Sequence, residues 1–283
     1  MKQEPCAVVE EETMHSSDAQ ERDVMATSIP PTLTAARGKV LFQDNGQAPW
    51  QDNWFVDGIH ATVKRLDDGG LYFAAGTATK QDDPDHYGQH HAVLWTRSVF
   101  TTDKLRVSFD MQRVDTSNYG SILFYIQATG IGVAPYAQDI YAWRNLRQCF
   151  PTMDKYFNYM HLMSISLREN VRCKRYPLNN IQTDDGKPVP YQHSLLEPMV
   201  DYKGILSFKP YRVVMEKRNP YFTLRIYDNL SNNQEETCIV DWTWDQRKGP
   251  TELLPIHSGR IGIRHMSTRR HVYHNFTVTQ LLD

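Results

Sequence analysis

The chain lacks any long apolar run. No stretch of about 18 apolar residues occurs in its 283 residues, which excludes a membrane-spanning helix. Its opening, "MKQEPCAVVEEETMHSSDAQERD", has no apolar core of the signal-peptide kind. The expectation is therefore a cytoplasmic protein, or a periplasmic or secreted one whose signal has been removed. Cysteines are few, at positions 6, 149, 173 and 238, and no C-x-x-C spacing joins them. That excludes zinc-ribbon and thioredoxin-type sites. A Cys149–Cys173 disulfide is open only to an exported chain, and buried free thiols are the alternative. A basic excess is missing too: 31 Lys and Arg face 33 Asp and Glu, which argues against a nucleic-acid partner. The G-x-G of "ATGIGVAP" is followed by no phosphate-binding lysine. No G-x-S-x-G marks a nucleophilic serine.

Helical periodicity is also scarce, and no repeat of 20–50 residues is visible. "AQDIYAWRNLRQCF", residues 137–150, is the best helix candidate, and "MDKYFNYM" offers one further turn. What the chain has instead is short segments rich in Val, Ile, Phe, Tyr and Trp between Gly, Asp, Asn and Pro turns. Examples are "AVLWTRSVF", "KLRVSFDMQRV", "SILFYIQATG", "YRVVMEKR" and "GRIGIRHM". About thirteen such segments predict an all-β sandwich of two antiparallel sheets. It spans 38–283, after an acidic leader over 1–37 that holds seven Asp and Glu against three Lys and Arg.

Alternation assigns the faces of these strands. Leu123, Tyr125 and Gln127 lie opposite Ile122, Phe124 and Ile126. His91, Val93, Trp95 and Arg97 share a face. Arg172, Lys174 and Tyr176 lie opposite Cys173 and Arg175. One sheet face thus mixes rings, amides and cations, which suits a sugar: rings pack on its C–H faces, and Arg, Gln and His bind its hydroxyls or carboxylates. The densest concentration is "NYMHLMSISLRENVRCKRYPL", residues 158–178, with His161, Arg168, Arg172, Lys174, Arg175 and Tyr176.

The tail "GRIGIRHMSTRRHVYHNFTV" is similar to the last two strands of concanavalin A-like jelly rolls, where a G-x-I-G-x-R strand precedes Y-x-N-F-x-V. With "HHAVLWTRSVF", "SILFYIQATG", "YFNYMHLMSISL" and "VRCKRYP" in order, residues 38–283 resemble the YesU-like bacterial family of unknown function. The resemblance implies a jelly-roll fold and a setting of acidic polysaccharide breakdown. Where relatives read H-I-S-Y, this chain has Ser164, Ile165, Ser166 and Leu167. Any role of that His or Tyr is lost here or passes to His161.

Three functions fit these residues. A polysaccharide lyase needs a carboxylate neutraliser, a base and an acid. Arg172, Arg175 and Arg264 suit the first role, with Gln127 as an amide donor. His91, His161, Tyr125 and Tyr176 suit the others. Trp95, Arg97, Lys174 and His265 complete the expected substrate contacts. A glycoside hydrolase needs a carboxylate pair. No E-x-D-x-x-E string is present, so Asp110, Asp139, Asp154 and Glu169 would have to converge from separate strands. A non-catalytic carbohydrate-binding module is the third reading. No cofactor is expected. The Asp- and His-rich "QDDPDHYGQHH", with His86, His90 and His91, is read as a solvated loop, with structural Ca²⁺ as the alternative.

Overall fold

Period-2 alternation of apolar and polar residues builds two antiparallel sheets, as the sequence predicts. The computed structural model describes residues 38–78, 81–84, 89–147, 153–167, 170–177, 195–202, 204–228, 236–245 and 256–282. The acidic leader, His86, Arg168, Glu169 and Cys149 lie outside them, and with Cys149 the question of a Cys149–Cys173 disulfide.

One sheet has seven strands: β2 (Trp54–Asp57), β5 (His91–Thr96), β7 (Ile122–Gly130), β8 (Met160–Leu167), β9 (Asn170–Tyr176), β10 (Leu195–Asp201) and β14 (Arg260–Met266). Their spatial order is β10-β9-β8-β7-β14-β5-β2. The other sheet has eight: β1 (Gly38–Asp44), β3 (Thr62–Arg65), β4 (Leu71–Ala74), β6 (Lys104–Arg113), β11 (Pro210–Arg218), β12 (Tyr221–Asp228), β13 (Thr237–Asp245) and β15 (Arg270–Leu281). It runs β13-β12-β11-β6-β15-β4-β3, with β1 also pairing β15.

The inner faces close on one core. Phe109 of β6 meets Phe124 of β7 across the gap, with ring centroids 5.1 Å apart, and stacks on Phe276 at 5.1 Å. A second apolar cluster lies on the outer face of the seven-stranded sheet. It forms because the β7–β8 connection folds back over that face. This connection holds a 3-10 segment, Ile140–Leu146, and α1, Met153–Tyr159. Here the structure departs from the single helix expected over 137–150. The 3-10 segment breaks at Trp143, whose φ of −120° is not helical. Asp139 caps its start by accepting from the Tyr141 amide.

Candidate functional site

The outer face of the seven-stranded sheet carries its side chains in rows set by register. One row runs Phe55, Trp95, Gly262, Tyr125, Ser164, Lys174 across six strands. The next runs Asp57, Val93, Arg264, Leu123, Ser166, Arg172. Rings and cations from five non-adjacent parts of the sequence therefore meet on one surface.

Gly262 makes the first row possible. A Cβ there would stand 2.5 Å from the Trp95 ring, so the indole lies where a side chain would be. Trp95 then stacks near Tyr125 at 5.5 Å and Tyr156 of α1 at 6.2 Å. Arg264 places its guanidinium 5.0 Å from the Tyr156 ring centre. Gly262→Ala should therefore destabilise the fold by about 1–3 kcal/mol through overpacking. It should also alter the near-UV dichroism of the tryptophans. Unchanged urea unfolding and an unchanged spectrum would refute this packing.

Asp57 is the hub of the face. Its Oδ2 accepts from Trp95 Nε1 at 2.9 Å, Arg147 Nε at 2.8 Å and Tyr156 Oη at 3.2 Å. Oδ1 lies 3.7 Å from Arg144 Nε. Arg147 also donates to the Ile140 carbonyl at 2.6 Å, and Arg144 to the Val56 carbonyl at 2.8 Å. A buried carboxylate with several donors thus ties the covering segment to the sheet. Trp95, Tyr125 and Arg264 have no solvent exposure, and Arg147 has almost none. His91 Nδ1 lies 3.0 Å from Arg264 Nη2. Burial, then Arg264, pushes the His91 imidazole down to about 3, so it stays neutral at physiological pH. Burial holds the Tyr156 phenol well above its ordinary range.

The twelve residues predicted for the site divide between the two faces. Trp95, Tyr125, His91, Arg264, Lys174, Arg172 and Tyr176 belong to the outer face. Tyr176 is buried there and stacks on Phe157 at 4.3 Å. Arg172 is exposed and bonds the Asn170 side chain at 2.8 Å. Arg97, just past β5, is exposed and donates to the Gln51 carbonyl at 2.5 Å.

Arg175, His161, Gln127 and His265 point between the sheets. Alternation puts Arg175 on the face of Val171 and Cys173, both core residues. No bulge in the β8–β9 pairing reverses it. Gln127 leaves its predicted face because β7 bulges there, with φ +50° and a register shift between Ile126 and Thr129. Its amide donates to the Phe100 and Thr102 carbonyls at 3.0 and 2.9 Å and accepts from Lys217. Burial pushes Lys217 down to about 8 and Arg175 down to about 10. Burial, then Arg175, lowers His161. His265 sits in the core, 2.7 Å from the Tyr273 hydroxyl and stacked on Phe73 at 4.3 Å. The hairpin cations therefore do not converge on one ligand surface.

Of the carboxylates proposed for a hydrolase, Asp110 and Asp139 do not pair with each other. Asp110 is on the far sheet, bound by Arg212 at 2.7 Å, while Asp139 binds Arg260 at 3.0 Å. The side chain of Asp154, like Glu169, lies outside the described structure. Among the described residues no group of three or more His, Cys, Asp or Glu is placed to hold a metal. His90 approaches Asp83 at 3.7 Å and stacks on His60 at 4.4 Å.

Asp57, Arg147 and Tyr156 were not among the predicted residues. Asp57 carried one readable signal: in "NWFVDG" it shares parity with Phe55. Arg147 and Tyr156 carried none, because their contacts depend on how a 29-residue connection, 131–159, folds back.

No family model and no curated protein sequence matches this chain. Solved structures do. A protein of unknown function with a galectin-like fold from Bacillus subtilis superposes with a TM-score of 0.56 at 17% identity, over 86% of this chain and 96% of that one. The VIP36 exoplasmic/lumenal domain in its Ca²⁺/Man3GlcNAc-bound form gives 0.50 at 11% identity, over 82% and 88%. Its Ca²⁺/Man2-bound form gives 0.50 at 9%, over 86% and 88%. At these identities the likeness is one of fold: a galectin-like, jelly-roll β-sandwich. No helix among the described residues is long and apolar enough to cross a membrane.

Proposed function

We propose that this protein binds an acidic, uronate-containing oligosaccharide on the outer face of its seven-stranded sheet, and that β-elimination is the chemistry this face supports. One observation carries the reading. Two buried guanidiniums, Arg147 and Arg264, stand among the rings of Trp95, Tyr125 and Tyr156, with Asp57 as the carboxylate bonded to the first of them. Planar donors match a sugar carboxylate, and rings match sugar C–H faces. A similarly folded domain, VIP36, has been solved with a mannose-containing glycan, which supports sugar as the ligand class. The β7–β8 connection carries Arg147 and Tyr156 and lies over Trp95 and Tyr125, so a ligand would enter between this connection and the sheet.

In the elimination, Arg264 and Arg147 would neutralise the uronate carboxylate and acidify the C5 proton. A neutral His91 would take that proton. The C5–H electron pair forms the C4–C5 double bond as the C4–oxygen bond breaks. Tyr156, which keeps its proton at neutral pH, would protonate the leaving oxygen. One observation favours a binder without turnover: His91, held down to about 3, is a weak base, and its Nδ1 already faces Arg264.

Incubation with rhamnogalacturonan, glucuronan, ulvan and alginate, followed by ultraviolet absorbance, separates the two. A rise on one polymer that falls at least a hundredfold in Arg264→Lys supports the lyase. Retention on a polymer without any absorbance supports the binder. Neither absorbance nor retention on any of them overturns the sugar-binding reading.

A further inference from the structure

The cover itself carries a second ligand-facing surface. Tyr141, on the 3-10 segment, keeps 42% of its surface exposed while its edge packs on Phe55 at 4.9 Å. The guanidiniums of Arg97 and Arg260 lie 5.8 and 5.9 Å from its ring centre. Arg144 lies 5.8 Å from the Phe55 ring beside it. Two cations thus stand against the exposed Tyr141 ring, and a third stands against its neighbour Phe55.

Their compensation is incomplete. Arg260 is bound by Asp139, with two contacts of 3.0 Å, and Arg144 approaches the buried Asp57 at 3.7 Å. Arg97 meets no carboxylate among the described residues; its Nε donates to the Gln51 carbonyl, which leaves both terminal nitrogens of an exposed side chain for a ligand. A planar fork beside a partly exposed aromatic ring is a donor set that can take a sugar carboxylate while the pyranose packs against the ring.

From this the geometry points to a separate uronate subsite on the rim, with Tyr141 as the platform and Arg97 as the carboxylate contact. It rests on the acidic-sugar reading and deepens it. A chain that occupies both the rim and the buried face must carry more than one sugar unit, with a carboxylate at the rim position. Because Tyr141 stands on the outer surface of the cover, this subsite is accessible with the cover in place, and it would make first contact with the polymer.

The test is calorimetric titration of the full-length protein with a galacturonate hexasaccharide and with the same hexasaccharide reduced at its carboxyls. The subsite predicts that Tyr141→Ala weakens the acidic hexasaccharide about tenfold. Arg97→Gln should weaken it similarly and erase the preference over the reduced form. Arg97 is exposed, so its variant should keep the wild-type melting temperature, which guards against a folding artefact in Tyr141→Ala. If Arg97→Gln and Tyr141→Ala bind like the wild type while Arg264→Lys loses binding, the rim subsite is overturned and the buried-face reading survives. If the wild type binds neither hexasaccharide, both readings fail for galacturonate, and the rim subsite is overturned for that sugar.

Discussion

Acidification from pH 6.5 to 5 is expected to cost this protein about 5 kcal/mol of stability, before most of its carboxylates titrate. Of the four buried histidines among the described residues, three have imidazoles pushed far below the ordinary range: His91, His265 and His271. Burial pushes His91 and His271 down to about 3, and His265 well below its ordinary range. His271 is the extreme case, since neither ring nitrogen has a hydrogen-bond partner among the described residues. In the unfolded chain each imidazole titrates near 6.5. Below that pH the unfolded state binds protons that the folded state refuses, so stability rises with pH through this window. The contribution is complete above 6.5 and is lost as pH falls toward 3. Each group contributes a slope approaching about 1.4 kcal/mol per pH unit, so three approach about 4 kcal/mol per unit below their unfolded pKa. Against a total of about 5–15 kcal/mol for a typical protein, that is a large fraction. Urea unfolding at pH 7.5, 6.5, 5.5 and 5 measures it. His271→Phe should flatten the dependence by about one third. A midpoint that stays constant down to pH 5 would show that these rings are not held neutral in the folded protein.

Asp57→Ala is expected to lose about 3–5 kcal/mol, the largest effect of any single substitution on the candidate site. The reason lies in what remains. Arg147 would keep its charge in a position with no solvent exposure, and Trp95 and Tyr156 would lose their shared acceptor. Removing one member of a buried ion pair typically costs this much because the other stays uncompensated. The pair as a whole is different: Asp57→Leu combined with Arg147→Met should recover most of the loss, since an apolar replacement of both partners is often neutral. Denaturant unfolding of the two single variants and the double variant forms the cycle. Additive losses in the double variant would mean that Asp57 does not act through Arg147. The same loss should free the cover, so Asp57→Ala should raise exposure of Trp95 to a fluorescence quencher at denaturant-free conditions.

The legible part of this protein was what local chemistry fixes. Alternation in "SILFYIQATG" and "HHAVLWTRSVF" placed Tyr125, Trp95 and His91 on the outer face of one sheet, where they stand. Parity alone separated Arg172 from Arg175, and the structure puts the first in solvent and the second between the sheets. The G-x-I-G-x-R tail acquires a physical meaning in the fold. Gly259, at φ +142°, lets its backbone approach Gln127, Gly262 makes room for the Trp95 indole, and Arg264 is carried to the buried face.

What the sequence determined by itself was the strand period, the two-sheet class and the face of each regular strand, because these follow from the geometry of neighbouring residues. Tertiary structure alone decided three things. The β7 bulge turned Gln127 inward, against simple alternation. The β7–β8 connection covered the aromatic face and brought Arg147 and Tyr156 onto Asp57, contacts 90 and 99 residues apart in sequence. The same fold left the Tyr141 ring on the outer surface of that cover and Arg97 at its rim, both exposed to solvent. Each depends on packing between segments distant along the chain, and no local pattern encodes which distant segment will be opposite.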